Sequence, residues 1–185
     1  MALQTVTLKL SYAIHDTWTA AFVGTRHLVY DILPDPGRRA SVEVRTLSQL
    51  ALIGSNQLME IALFRLLLPY AKSADRVGKL TESLLRDATY FSLLDRWVPA
   101  ATGKPVRFSI EPFFSTEKLR KKRNDTIHKT SAPVSVAMAR SALSTAVQGS
   151  IALHAHFGEE FPYAGFLEQW PLRDESLFST VAALR

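Results

Sequence analysis

Residues 47–70 read LSQLALIGSNQLMEIALFRLLLPY. Leu50, Ile53, Asn56/Gln57, Glu60/Ile61, Phe64 and Leu67/Leu68 recur at spacings of three and four, which is one face of an α-helix. The part from Ala51 to Tyr70 is the most apolar in the chain, but Asn56, Gln57, Glu60 and Arg65 interrupt it. A membrane span needs about 20 apolar residues and would leave those groups unpaired in hydrocarbon, so a core helix is expected. Asn56 and Glu60 stand four apart and share a face that is otherwise apolar.

Outward from this helix the pattern stays helical. A first helix is expected over about 9–31, stopped by Leu33-Pro34-Asp35-Pro36-Gly37. A third is expected over about 75–98, with Val77, Leu80, Leu84, Tyr90/Phe91, Leu94 and Trp97 as its stripe. Pro99 to Pro105 reads as the clearest loop, and Pro112 as the opening of a fourth, basic helix to about Lys129. Thr130-Ser131-Ala132-Pro133 reads as a break and a capped restart, with Pro133 in the first turn. The fifth helix, to about Phe157, is rich in Ala and Ser, which let a neighbour approach closely within a subunit or across a dimer. An aromatic, acidic tail follows, with a short helix over about 175–184. Thr5–Leu10 and Val106–Ile110 alternate and admit short extended pieces. The expected fold is one all-α domain over 1–185, an antiparallel bundle of about five helices.

Composition agrees with a single globular domain: 185 residues, 47% hydrophobic and 21% charged. The absence of Cys removes disulfides and thiolate chemistry. Five scattered His without HExxH argue against a zinc enzyme, and His154 and His156 are too close in sequence to share a helix face. No GxSxG, GxGxxG or Walker-type loop occurs, so hydrolase, dinucleotide and nucleoside-triphosphatase templates have no support. His15-Asp16 with Trp18 are expected on the surface of the first helix. Met1 to Leu10 has no basic-then-apolar signal architecture, so the expected compartment is the cytoplasm, with no membrane partner, metal or cofactor.

The net charge is +5, from 22 Lys+Arg against 17 Asp+Glu. Residues 1–70 carry six basic and five acidic side chains, 71–130 thirteen and seven, and 131–185 three and five. Lys118, Arg120, Lys121, Lys122, Arg123 and Lys129 face only Asp125 within 118–129. An isolated basic run is usually a solvated helix face. Here Leu119, Arg123 and Ile127 stand four apart, which expects Arg123 on the packing face, either paired with a buried carboxylate, Glu60 being the obvious one, or open to a polar groove. Arg120, Asn124 and His128 form the adjacent stripe. Arg123 and His128 are five apart, about 140° around a straight helix, so they can border two sides of one groove.

Arg123-Asn124-Asp125-Thr126-Ile127-His128 reads R-N-x-x-x-H, and this resembles the R-x(4–6)-H motif of HEPN-domain proteins, in which a polar residue, often Asn, follows the Arg. The motif's place late in an all-α chain, at the end of one helix and before a small-residue-rich one, is similar too. Gly54 to Arg65 looks like that family's long core helix. The resemblance spans about 46–157, with 1–45 and 158–185 as embellishments. It implies metal-independent cleavage of RNA in a homodimer groove, leaving a 2′,3′-cyclic phosphate. His128 would then assist proton transfer, Arg123 hold the scissile phosphate, and Asn124 orient the imidazole or touch phosphate. Arg120, Lys121, Lys122 and Lys129 would attract RNA, with Asn56 and Glu60 in support. It also implies a toxin or defence effector with an antitoxin or neighbouring-gene partner. A toxin subgroup carries Tyr two residues after the His as a modification site; Thr130 stands there in this chain. The alternative is a non-catalytic module of the same build that binds RNA or nucleotide, or docks a protein.

Overall fold

The computed structural model describes residues 17–34, 41–74, 89–128 and 133–182. Seven helical elements lie in that part, with no strand among the described residues. Residues 17–32 form α1, closing in a π-turn over Leu28–Ile32. Next come α2, Ser41–Ala74; α3, residues 90–102; α4, Phe113–His128; α5, Val136–Phe157; α6, Ala164–Gln169; and α7, Phe178–Ala182. The result is an all-α bundle.

The long α2 is set against α5 at the centre. Leu52, Leu58, Met59 and Ala62 share one core cluster with Met138, Ala142, Leu143 and Ala146, and Leu63, Leu66 and Leu67 share a second with Leu153. The two helices therefore run in the same sense. Small residues on α5 make the approach possible: Ala139, Ala142, Ser144, Ala146, Gly149 and Ser150 are all buried. That assigns the small-residue stripe to packing within the chain. By length and apolarity α2 reaches what a membrane span requires, yet much of it is covered by its own neighbours.

Three hydroxyls on these two helices find partners within their own helix, whereas Ser48 Oγ is buried without one. Ser55 donates to Ala51 O (2.7 Å), Ser150 to Ala146 O (2.8 Å) and Ser141 to Met138 O (3.2 Å). A buried hydroxyl bonded in this way carries little of the desolvation cost of an orphaned one. His154 is likewise buried; Nδ1–H donates to Ser150 O at 2.8 Å, and the ring meets Phe161 edge-on.

Several boundaries differ from expectation. The helix of 90–102 runs through Pro99, because a π-turn over Leu93–Trp97 precedes it and gives a ring without N–H a place in the next turn. The loop therefore begins at Gly103, whose left-handed φ of 71° ends the helix. The cap of α5 is Ser135, which accepts from Met138 N at 3.2 Å, so Pro133 lies ahead of the helix rather than in its first turn. Val106–Ile110 forms turns and not an extended piece. Trp18 is fully buried, not on the surface. Its ring stacks on Phe22 (5.4 Å) and Tyr163 (4.4 Å) and fastens α1 to the segment after α5. His15 and Asp16, Thr5–Leu10, and the third-helix positions 75–88 lie outside the described residues.

Two outcomes follow. A Cβ on Gly149 would stand 2.5 Å from Thr116 Cγ2 and 3.2 Å from Met59 Sδ. Gly149→Ala should therefore destabilise by about 1–3 kcal/mol in urea titration, outweighing the gain of up to about 1 kcal/mol in helix propensity. Adding Thr116→Ser, which removes Cγ2, should recover most of the loss. Second, burial holds the His154 imidazole below the usual histidine range. The unfolded chain then binds the extra proton first, so stability falls as pH drops below about 6.5 and levels off under the folded-state value. Melting temperature between pH 7.5 and 5 should fall more steeply for wild type than for His154→Asn.

Candidate functional site

The basic helix α4 is positioned by its first half. Pro112 precedes it, and Glu111 reaches over the first turn: Oε2 accepts from Ser115 N (3.1 Å) and Oε1 from Ser115 Oγ (3.0 Å). Ser115, Thr116 and Leu119 are its buried residues, packed toward α2, α5 and α7. Thr116 meets α2 near Met59, whereas Ile127 and His128 border a groove with Val42, Arg45, Thr46 and Gln49. α4 therefore runs antiparallel to α2, and its motif-bearing end lies beside the start of that helix.

Within this arrangement Arg123 is half-buried, and its Nη1 donates to Asn124 Oδ1 at 3.2 Å. Its Nε is buried without a hydrogen-bond partner. Among the described residues Arg123 enters no ion pair, so the expected pairing with Glu60 is not formed. Register explains this: Thr116 is level with Met59, Arg123 lies seven residues farther along α4 and Glu60 one residue the other way, an offset of about 12 Å along the antiparallel axes. Glu60 Oε1 instead accepts from Asn56 Nδ2 at 2.7 Å, within α2. Asn56 is 1% exposed, and its Oδ1 is buried without a partner.

Ile127 was expected on the packing face with Leu119. Leu119 is fully buried, but Ile127 is 46% exposed, because the groove between α4 and the start of α2 stands open there. His128, the last residue of α4, is exposed at the same groove. The helix is continuous from Phe113 to His128, so Arg123 and His128 leave it about 140° apart. Arg123 and Asn124 are joined by their hydrogen bond, and α4 lines the groove at His128 with Thr126, Ile127 and His128.

The basic run is partly answered by a residue that the motif does not include. Glu117 accepts from Arg120 Nε and Nη2, both at 2.8 Å, and lies 3.5 Å from Lys121 Nζ. Arg120's hydrogen bonds hold the Glu117 carboxyl below the usual carboxylate range, and Glu117 raises the guanidinium in turn. Arg120 also lies over the Phe91 ring, and Lys118 over Phe114 at 4.3 Å. The Lys122 carbonyl accepts from Thr126 Oγ1 at 2.8 Å. Lys129 lies outside the described residues. Tyr90, on α3, joins the junction: enclosure of its phenol pushes it above the ordinary tyrosine range, and Glu60 and Glu117 push the same way. The i,i+3 spacing of Glu117 and Arg120 was the available signal for their pair. Nothing in local spacing brings Tyr90 to Glu60 and Glu117.

Among the described residues no three His, Asp or Glu side chains gather in a cluster able to hold a metal. Neither family models, nor curated proteins, nor solved structures offer a match to this chain.

Because Glu117 neutralises part of the run, Glu117→Gln should release Arg120 and Lys121 toward polyanions. The variant should elute from heparin at higher salt, with a log–log salt slope steeper by about one phosphate contact. Unchanged elution would show that the pair faces away from the polyanion path.

Proposed function

We propose that this chain is a HEPN-type endoribonuclease that cleaves RNA without a metal ion in a groove between two copies, leaving a 2′,3′-cyclic phosphate. The observation that carries this reading is the local order at the end of α4. A half-buried Arg123, free of any ion pair among the described residues, is held against Asn124, one and a half turns before an exposed His128. An arginine kept from carboxylates in a partly enclosed place retains its charge for an anion. In the proposed reaction the His128 imidazole moves a proton at the ribose 2′-OH or the leaving oxygen. Arg123 stabilises the extra negative charge on phosphorus-bound oxygens, and Asn124 sets the guanidinium. Lys121, Lys122 and Lys129, with Arg120 tempered by Glu117, give sequence-independent attraction. Asn56 and Glu60 support the scaffold on α2. The setting we propose is a cytoplasmic toxin or defence effector with an antitoxin or neighbouring-gene partner.

The angle of about 140° between Arg123 and His128 makes the second copy essential to catalysis. The same angle favours a second reading, a non-catalytic module that binds RNA or nucleotide, or docks a protein.

Incubation with varied RNAs in EDTA separates the two. Wild type should cleave, and Arg123→Ala and His128→Ala should each lose about 100-fold or more while remaining folded. Undiminished cleavage in both variants would overturn the assignment. Binding without cleavage by wild type would establish the module reading.

A further inference from the structure

A cleft of about 470 Å³ opens at the other end of α4, between the loop after α3 and the last turns of α5. Ile110, Phe113, Ala152 and Ala155 form its apolar walls. Lys104, Arg107 and His156 stand around it as polar residues. Lys104 and Arg107 are exposed, and among the described residues neither enters an ion pair. Glu111 is the single acid of the lining, and its carboxylate is already committed. It accepts from Ser115 N, from Ser115 Oγ and, at 2.7 Å, from Ser179 Oγ on α7.

The loop that carries the two cations is fixed rather than draped. Gly103 turns it with a left-handed φ, Thr102 Oγ1 accepts from Lys104 N (3.2 Å), and Lys104 O accepts from His156 Nε2 (3.0 Å). Because a carbonyl can only accept, Nε2 carries the proton and Nδ1 keeps its lone pair when the ring is neutral. Phe113 meets the same imidazole edge-on. The cleft thus combines a volume in the range of small-molecule sites, apolar walls, two unanswered cations and one oriented imidazole.

We propose that this cleft binds a small organic anion, a carboxylate or phosphate head on an aromatic or aliphatic body. The head meets Lys104 and Arg107, and the body lies on Ile110 and Phe113. Neither half suffices: the cations are too exposed to hold an inorganic ion tightly, and the apolar walls alone lack an orienting group. The site is separate from the proposed RNA groove, since fifteen residues of α4 place Phe113 about 22 Å from His128.

Heteronuclear NMR titration of the full chain tests this with phenyl phosphate, benzoate, inorganic phosphate and benzyl alcohol. Phenyl phosphate or benzoate should saturably shift amides of 104–113 and 152–156. Inorganic phosphate and benzyl alcohol should bind at least about tenfold more weakly. The exposed-site variants Lys104→Ser/Arg107→Ser, which removes the charges, and Ala155→Leu, which fills the cleft, should each weaken the organic anion about tenfold or more. Absence of saturable binding by both organic anions, equal affinity for inorganic and phenyl phosphate, or undiminished affinity in both variants would overturn it.

Discussion

The close approach of α2 and α5 is the constraint on which the other elements depend. Gly149 sits where Met59 of α2 and Thr116 of α4 converge, with no room for a Cβ. A similar limit recurs where Gly54 of α2 faces Thr25 Oγ1 of α1, at 2.5 Å from a built Cβ. Two glycines on the two longest helices therefore set how near their neighbours come. With helices this close, dispersion contacts accumulate along the seam, and the buried hydroxyls of Ser55 and Ser150 are satisfied by carbonyls of their own turns.

From that seam the position of α4 follows. Thr116 fills the space over Gly149, Ser115 Oγ accepts from Ser179 N at 3.1 Å, and Thr145 Oγ1 accepts from Phe178 N at 2.8 Å. α7 is thus fastened to both α4 and α5 through buried hydroxyls, and Glu111 links the same cluster to the cleft loop. The first half of α4 is locked, while its second half, toward Ile127 and His128, borders an open groove.

In 47–70 the spacing named a neighbouring face and not the buried one, since Leu50 is 50% exposed while Leu52, Leu58, Met59 and Leu63 are fully buried. The helical character and the shared face of Asn56 and Glu60 were legible, since each depends on spacings within one helix. So was the start of α4 after Pro112. What eluded the sequence depends on register between helices. Glu60 and Arg123 are complementary in charge and each lies on an inward stripe, yet they are separated by about 12 Å along antiparallel axes. Ile127 has the same spacing as Leu119, but its exposure is decided by where α2 begins to diverge. Trp18 looked polar by its neighbours and is buried because Tyr163, 145 residues away, stacks on it. The π-turn before Pro99 has no spacing signature at all.

The charge of α4 is therefore a matter of position along a rigid rod. FFSTEKLRKKRNDTIH contains no Gly or Pro, so its two ends keep a fixed separation of about 22 Å. Near the first end Glu117 takes up Arg120 and Lys121, and Lys104 and Arg107 supply positive charge from the adjacent loop instead. Toward the second end Arg123 donates to Asn124 Oδ1 and, among the described residues, enters no ion pair. On the proposed reading, a long polyanion would be drawn by many of these charges at once, because its phosphates are many and its attraction is summed. The proposed small anion would sense only the end whose apolar walls fit it. The same excess of positive charge would then serve two ligands of different size without either occupying the other's place.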